Sequence, residues 1–345
     1  MALTPEGPEF ARAVPKAEIH LHLEGSIDLE TLIRIRRARG DPSGPGERKR
    51  LGALYRHRDF LHFLQNFRAL CAELRRPEDF GLAAAALSER LQADAARYAE
   101  VLCSPQIFTR AGLQVEEIMD AASGAARKRA AEGGPRLRFL FDGVRQFGIG
   151  ALEELVEMAA ECRRFDVVGL GVGGDERALP TSAFAPVFRE ARRLGLRTTI
   201  HAGEFDGPRS VWEAMEVLEV ERIGHGIRAA EDAVLVRSLR DYGLPLECCP
   251  TSNVRTGVVR GWESHPIRTL HAQGVAVTVN SDDPALFGTS LAGEWQALET
   301  RLGLSREQVL AIGVRTVRAA FLDETEKTDL IAAMTRAAAA AGCAG

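Results

Sequence analysis

The stretch AEIHLHLEGS, residues 17–26, alternates polar and apolar side chains one for one from Glu18 to Glu24. In an extended chain successive side chains point to opposite faces. Glu18, His20, His22 and Glu24 therefore share one side of a strand, and Ile19, Leu21 and Leu23 share the other. Two imidazoles on one face can grip one cation. The pattern also suits an edge strand with a solvated polar face, and only the rest of the chain separates the two readings.

Working outward, seven more short apolar runs follow: RYAEVLCS (97–104), RLRFLFDG (136–143), DVVGLGVG (166–173), RTTIHAG (197–203), RIGHG (222–226), PLECCPTS (245–252) and VAVTVNS (275–281). Stretches of helical periodicity separate them, such as 112–130, 151–165 and 184–195. Strands alternating with helices read as parallel βα units. Eight such units predict a closed (β/α)8 TIM barrel, a fold that 345 residues can build as a single domain over 1–345. About seventy residues lie between the first two runs, including RGDPSGPGERKR (39–50), read as a Gly/Pro-rich loop. This insertion is expected to carry two or three helices and to form a lid. Beyond the eighth run, helices are expected near 291–302, 306–319 and 325–341, ending in an Ala-rich frayed tail.

Composition narrows the chemistry. The chain has 44 Lys and Arg against 48 Asp and Glu, a net charge of -4 with no basic excess to hold nucleic acid. Its six cysteines include no C-x-x-C pair, which fits a reducing cytoplasm. No apolar run is long enough to span a bilayer, and the N-terminus lacks a basic segment followed by an apolar one. Phosphate-loop and G-x-S-x-G signatures are absent, as is H-x-E with P-C-x-x-C. Gly169, Gly171 and Gly174 satisfy G-x-G-x-x-G, but no helix is expected to open directly after them, so a dinucleotide site is rejected.

A barrel of this kind builds its active site at the C-terminal ends of its strands. Four of the eight histidines fall there: His20 and His22 on the first strand, His201 on the fifth and His225 on the sixth. Asp282 and Asp283 follow the eighth. The other four, His57, His62, His265 and His271, fall in helical or loop stretches suited to surface or packing roles. His20, His22, His201 and Asp282 form a ligand set suited to a borderline ion such as zinc, with room left for a water. Taken singly, His201 could be a core histidine, and SDDP could be a turn before proline. Glu204, His225 and Asp283 stand at the same rim as candidates for proton transfer.

These motifs, HLHLEGS, GGDE, HAGE, RIGHGIR, CPTSNV and NSDDPALF, occur in the order found in the adenosine deaminase family of the amidohydrolase superfamily, which the chain resembles from about Pro15 to its C-terminal helices. The resemblance implies one zinc ion per subunit on His20, His22, His201 and Asp282. It implies hydrolytic deamination of a small-molecule 6-aminopurine nucleoside, with ammonia released. In that reaction a zinc-activated water attacks C6, Glu204 protonates ring N1, and His225 with Asp283 orients and deprotonates the water. His22, Glu24, Gly174 and Asp283 would contact substrate, Gly174 through its N–H to purine N3. The four lysines, Lys16, Lys49, Lys128 and Lys327, include none at a strand end to bridge a second metal.

The resemblance points first to adenosine or deoxyadenosine. Two departures widen that expectation: Glu24 stands where strict adenosine deaminases often carry aspartate, and GVGGDE replaces DLAGDE, with Gly171 in place of an aspartate. Glu24-type motifs also occur in relatives acting on adenine or on 6-amino-6-deoxyfutalosine, a menaquinone precursor with a bulky 5′ substituent; CPTSN argues against adenine. A non-catalytic binding protein would lack part of the rim, and an amidase or phosphotriesterase would have no use for Glu204. The stripe Phe60, Phe63, Leu64 and Phe67 is expected to pack on the barrel, with a purine cover as the alternative.

Overall fold

The computed structural model describes residues 9–42 and 44–343. Its strands are β1 (Lys16–His22), β2 (Ala96–Cys103), β3 (Arg136–Val144), β4 (Val167–Gly173), β5 (Arg197–Ala202), β6 (Arg222–His225), β7 (Leu246–Cys248) and β8 (Val277–Val279). They pair in parallel in chain order. The ring closes where Leu21 bridges Asp282: His22 N–H donates to Asp282 O at 2.8 Å, and Asp282 N–H donates to His20 O at 3.1 Å. Helices cover the outside, which is why the strands are buried on both faces and read as short apolar runs.

All eight expected strands are present: the first two lie one residue earlier, the third runs one residue further, and the other five are shorter. The seventh stops at Cys248, because Pro250 opens the helix Pro250–Arg255. Proline at the first helical turn gives up an N–H that has no helical partner anyway. The same logic converts part of the expected 39–50 loop into the helix Pro45–Gly52. Between β1 and β2 lie four helices rather than two or three: Leu29–Arg39, Pro45–Gly52, Phe60–Cys71 and Pro77–Ala93. The C-terminal helices Leu291–Thr300, Arg306–Ala319 and Glu324–Ala340 lie as expected, while the last residues of the expected tail, 344–345, fall outside the described residues.

The barrel lumen is partly ionic. Arg222 of β6 pairs with Glu100 of β2 at 2.6 Å and with Glu247 of β7 at 2.5 Å. Glu247 in turn accepts from Thr199 Oγ1 at 3.0 Å and meets His20 Nδ1 at 2.7 Å. Because β2 and β6 are not neighbours, this chain crosses the lumen and ties its floor to the strand-end histidines.

Candidate active site

The residues that alternate along β1 arrive at the strand ends with His20 and His22 on one face, and ring closure sets Asp282 beside them. His201, the fifth residue of β5, completes the group. One ligand atom from each of the four lies within 4.8 Å of all the others, and all four residues are buried. Asp282 and His225 hold left-handed backbone conformations, φ +63° and +59°. Such strain in residues other than glycine collects at functional sites.

Electrostatics show what charge the cluster suits. Burial alone would lower the His20 pKa, but Asp282 and Glu247 outweigh it and carry the imidazole to about 10. Burial lowers His22 to about 4 and also holds His201 well below the usual histidine range. Burial would raise Asp282, yet the facing imidazoles hold it far below the usual carboxylate range. The site thus calls for one positive charge near His20 and Asp282. His20 Nδ1 is taken by Glu247, and its Nε2 is buried with no hydrogen-bond partner among the described residues, 3.6 Å from Asp282 Oδ1. A ring nitrogen and a carboxylate oxygen facing each other across this gap, with two more imidazoles alongside, fit a divalent cation of the zinc type that takes the place of the Nε2 proton. A second group, His225, Cys249 and Asp282, also converges. There the thiol donates to Glu247 O at 3.4 Å, and burial raises its pKa well above the usual range, so Cys249 stays a protonated, poor ligand.

Glu204 is fixed by a carboxylate that the sequence reading left without a role. Glu176 accepts the backbone N–H groups of Gly203, Glu204, Phe205 and Asp206 at 2.5, 3.0, 2.7 and 2.9 Å, which pins the loop after β5. Burial, Asp282 and Glu176 push the Glu204 carboxyl well above the usual range, which favours its protonated, acid form. His225 Nε2 faces Glu204 Oε2 at 3.6 Å.

The proton position on His225 follows from a chain of partners. Ile267 N–H donates to His265 Nδ1 at 3.2 Å, so the His265 proton sits on Nε2 and points at Asn253 Oδ1, 3.2 Å away. The Asn253 amide N–H then faces His225 Nδ1 at 3.2 Å, leaving the His225 proton on Nε2, toward Glu204. Burial lowers His225 to about 3 and His265 to about 4, so both rings are neutral.

Asp283 sits above the turn Glu24–Ser26. A Cβ on Gly25 would lie 1.6 Å from Asp283 Oδ1, so this glycine clears the seat of that carboxylate. Burial and Asp282 raise the Asp283 carboxyl well above its ordinary value. Gly174, at φ +93°, lines the cavity, and a Cβ there would strike Gln146 Oε1. Glu24 is fully buried and turned away: its Oε1 accepts from Ser104 N–H at 2.9 Å, and it does not line the cavity.

The cavity at the strand ends has a volume of about 710 Å³ and reaches from His22, His201, His225, Asp282 and Asp283 up to the helix Phe60–Cys71. Phe63 of that helix stacks on Phe287 with centroids 4.9 Å apart, and Phe60 meets Phe205 at 3.9 Å. The aromatic stripe thus packs, as expected, and also roofs the site. Arg68 and Arg110 line the mouth, the latter 4.0 Å over the Phe147 ring.

Sequence reasoning missed Asp142, Glu247 and Asn253. Asp142 lies near the end of β3 and was open to the strand-end rule; Glu247 was legible as an acid inside an apolar strand; Asn253 stands in the CPTSNV motif, but its role was hidden, since it lies in a contact 28 residues away.

Residues 15–337 match the family model described as adenosine deaminase. The chain is 36% identical over 325 residues to an aminodeoxyfutalosine deaminase of Streptomyces avermitilis, covering 94% of this chain and 91% of that one. Other curated relatives, 34 to 39% identical, are named either aminodeoxyfutalosine deaminase or adenine deaminase. Among solved structures, an adenine deaminase from Arthrobacter aurescens superposes with a TM-score of 0.89 at 30% identity, covering 94% of this chain and 98% of that one. An amidohydrolase from Burkhoderia ambifaria with bound Zn gives a TM-score of 0.86 at 25% identity, covering 95% and 91%. No helix among the described residues is long and apolar enough to cross a membrane.

Proposed function

The chain belongs to the adenosine deaminase family, and from that membership we propose that it removes the 6-amino group of a purine nucleoside with a large 5′ substituent, of the aminodeoxyfutalosine kind, as a single-domain cytoplasmic enzyme. The size of the cavity carries this reading. At about 710 Å³ it lies within the roughly 300–1,000 Å³ of pockets for drug-sized ligands, and its aromatic roof and arginine-bearing mouth extend well past the room a free base needs. The first-matched curated relatives carry the same name. Adenosine, the first expectation from sequence, would leave that outer part unused.

When bound, one zinc ion on His20, His22, His201 and Asp282 supplies a water whose pKa is lowered toward neutrality. The chain's own groups supply the rest. Glu204, kept protonated by burial and its acidic neighbours, gives its proton to ring N1. His225 holds the incoming oxygen by donating from Nε2, a narrower role than the expected one, because its Nδ1 is already an acceptor for Asn253. Asp283, seated over Gly25 and lining the cavity beside Asp282, would take the proton of that water. The Gly174 N–H meets purine N3, and the exposed edge of His22 lies along the base.

The adenine deaminases among the relatives favour a second reading, in which the outer cavity is idle. A panel separates the two. Zinc-loaded protein is given adenosine, deoxyadenosine, adenine and aminodeoxyfutalosine, and loss of the aminopurine absorbance is followed. We expect the highest kcat/KM on aminodeoxyfutalosine; higher turnover of adenine establishes the second reading, and turnover of none of the four overturns both.

A further inference from the structure

Metal-binding histidines usually donate their outer N–H to a carboxylate or carbonyl, which fixes the tautomer and the ring plane. Two of the three here do so: His20 through Glu247 at 2.7 Å, and His201 through Val172 O at 3.2 Å. The His22 ring makes no hydrogen bond among the described residues. Apart from Asp282, the one carboxylate among the described residues within 4 Å of it is Asp142, whose Oδ2 stands 3.9 Å from His22 Nδ1.

Asp142 sits where such a partner is needed, near the C-terminal end of β3, 4% exposed, with Oδ1 buried and unpartnered. The neighbouring strand has been cleared for it. Gly171 and Gly173 of β4 have ordinary negative φ, so their backbone does not require glycine. Space does: a Cβ on Gly171 would lie 2.9 Å from Asp142 Oδ1, and one on Gly173 would lie 2.8 Å from Asp142 Oδ2. At Gly171 the Leu102 side chain stands as near, at 2.8 Å, whereas at Gly173 the next neighbour, the His201 ring, is farther off at 3.2 Å; Asp142 is the one side chain that crowds both positions. Glycine inside a strand costs about 0.5–1 kcal/mol, and two of them side by side call for a reason.

We propose that Asp142 is the positioning residue of His22. It accepts the Nδ1–H, directly after a small rotation of the ring or through one water, and so turns the Nε2 lone pair to the cation, while Gly171 and Gly173 keep its seat open. This rests on the reading of His20, His22, His201 and Asp282 as a cation site.

The test uses full-length protein loaded with zinc and four variants: Asp142→Ala, Asp142→Asn, Gly171→Asp and Asp142→Ala combined with Gly171→Asp. Zinc affinity is measured by competition with a chromophoric chelator, the ligand field by the visible spectrum of the cobalt-substituted protein, and kcat and KM on whichever panel substrate is turned over. Asp142→Ala is expected to weaken zinc binding about 10–100-fold and to shift the cobalt spectrum. Asp142→Asn, whose amide oxygen still accepts a hydrogen bond, should lose less. Gly171→Asp alone collides with Asp142 and impairs binding, whereas the double variant, with a carboxylate entering the same space from β4, recovers at least part of the loss. Unchanged affinity and spectrum in Asp142→Ala, with KM raised, would make Asp142 a substrate contact and overturn the proposal. Equal loss in the alanine and double variants with an unshifted cobalt spectrum would overturn it as well. If the wild-type protein binds neither zinc nor cobalt, the cation-site reading falls first, a result the chelator measurement on wild type shows by itself.

Discussion

At the scale of single residues, the site divides its labour between groups that hold charge and groups that move protons. Glu204 touches none of the proposed ligands and is an acid because burial and neighbouring carboxylates disfavour its charge. Glu204→Gln should therefore retain zinc and lose most activity, about 10²-fold or more in kcat, while His20→Ala should lower metal content itself. Equal zinc loss in the two variants, by elemental analysis, would show that these roles are misassigned. Glu18 offers a separate check. Burial raises its carboxyl to about 8 despite the hydrogen bond from Ser281 N–H. A carboxyl whose folded pKa exceeds its unfolded value of about 4.3 lends full stability at low pH and loses it as pH climbs toward the folded value. Between pH 5 and 8 the Tm of wild type should thus fall more steeply than that of Glu18→Gln; parallel curves would refute this. His20, His22, His201 and Asp282 were legible in the sequence because strand-end position alone locates them. The roles of Asn253 and Glu176, although both stand in quoted motifs, were not, because they act only through partners that folding brings to them.

At the scale of elements, two short pieces govern the cavity. The turn Glu24–Ser26 brings Gly25 under Asp283 so closely that a methyl cannot fit. Gly25→Ala should displace that carboxylate, and a displacement of about 1 Å can cost about 10²-fold in kcat. Circular dichroism and zinc content should stay near wild type; full activity in this variant would show that the carboxylate need not stay where it is. The helix Phe60–Cys71 roofs the site through Phe63, which is buried against Phe287. Phe63→Ala should cost up to about 3 kcal/mol in the packing of that helix and raise KM for a nucleoside several-fold, with zinc content unchanged. A KM equal to wild type would mean that the stripe only packs. Its helical spacing was plain in the sequence, but spacing could not say which surface the stripe meets. The helix Pro45–Gly52 was misread as loop because glycine and proline mark both turns and helix starts.

At the scale of the whole molecule, the ionic chain through the lumen and the strand-end cluster make the barrel and its cation interdependent. A metal that binds only the folded state adds about 4 kcal/mol when free metal is about a thousandfold above Kd. Stripping the protein with a chelator should lower its Tm by several degrees, and restored zinc should return it; an unchanged Tm would argue that the cluster holds no ion. The alternation of strand and helix, the parallel order and the strand-end placement of the histidines were fixed by local pattern alone, since side-chain period and turn residues are properties of consecutive positions. The contacts made by ring closure were not. The hydrogen bonds joining His20 and His22 to Asp282, the Glu247 and Asn253 partners, and the room cleared by Gly25, Gly171 and Gly173 all depend on distances between residues far apart in the chain. Such distances exist only once the eighth strand has met the first, which is why no reading of neighbours along the sequence could supply them.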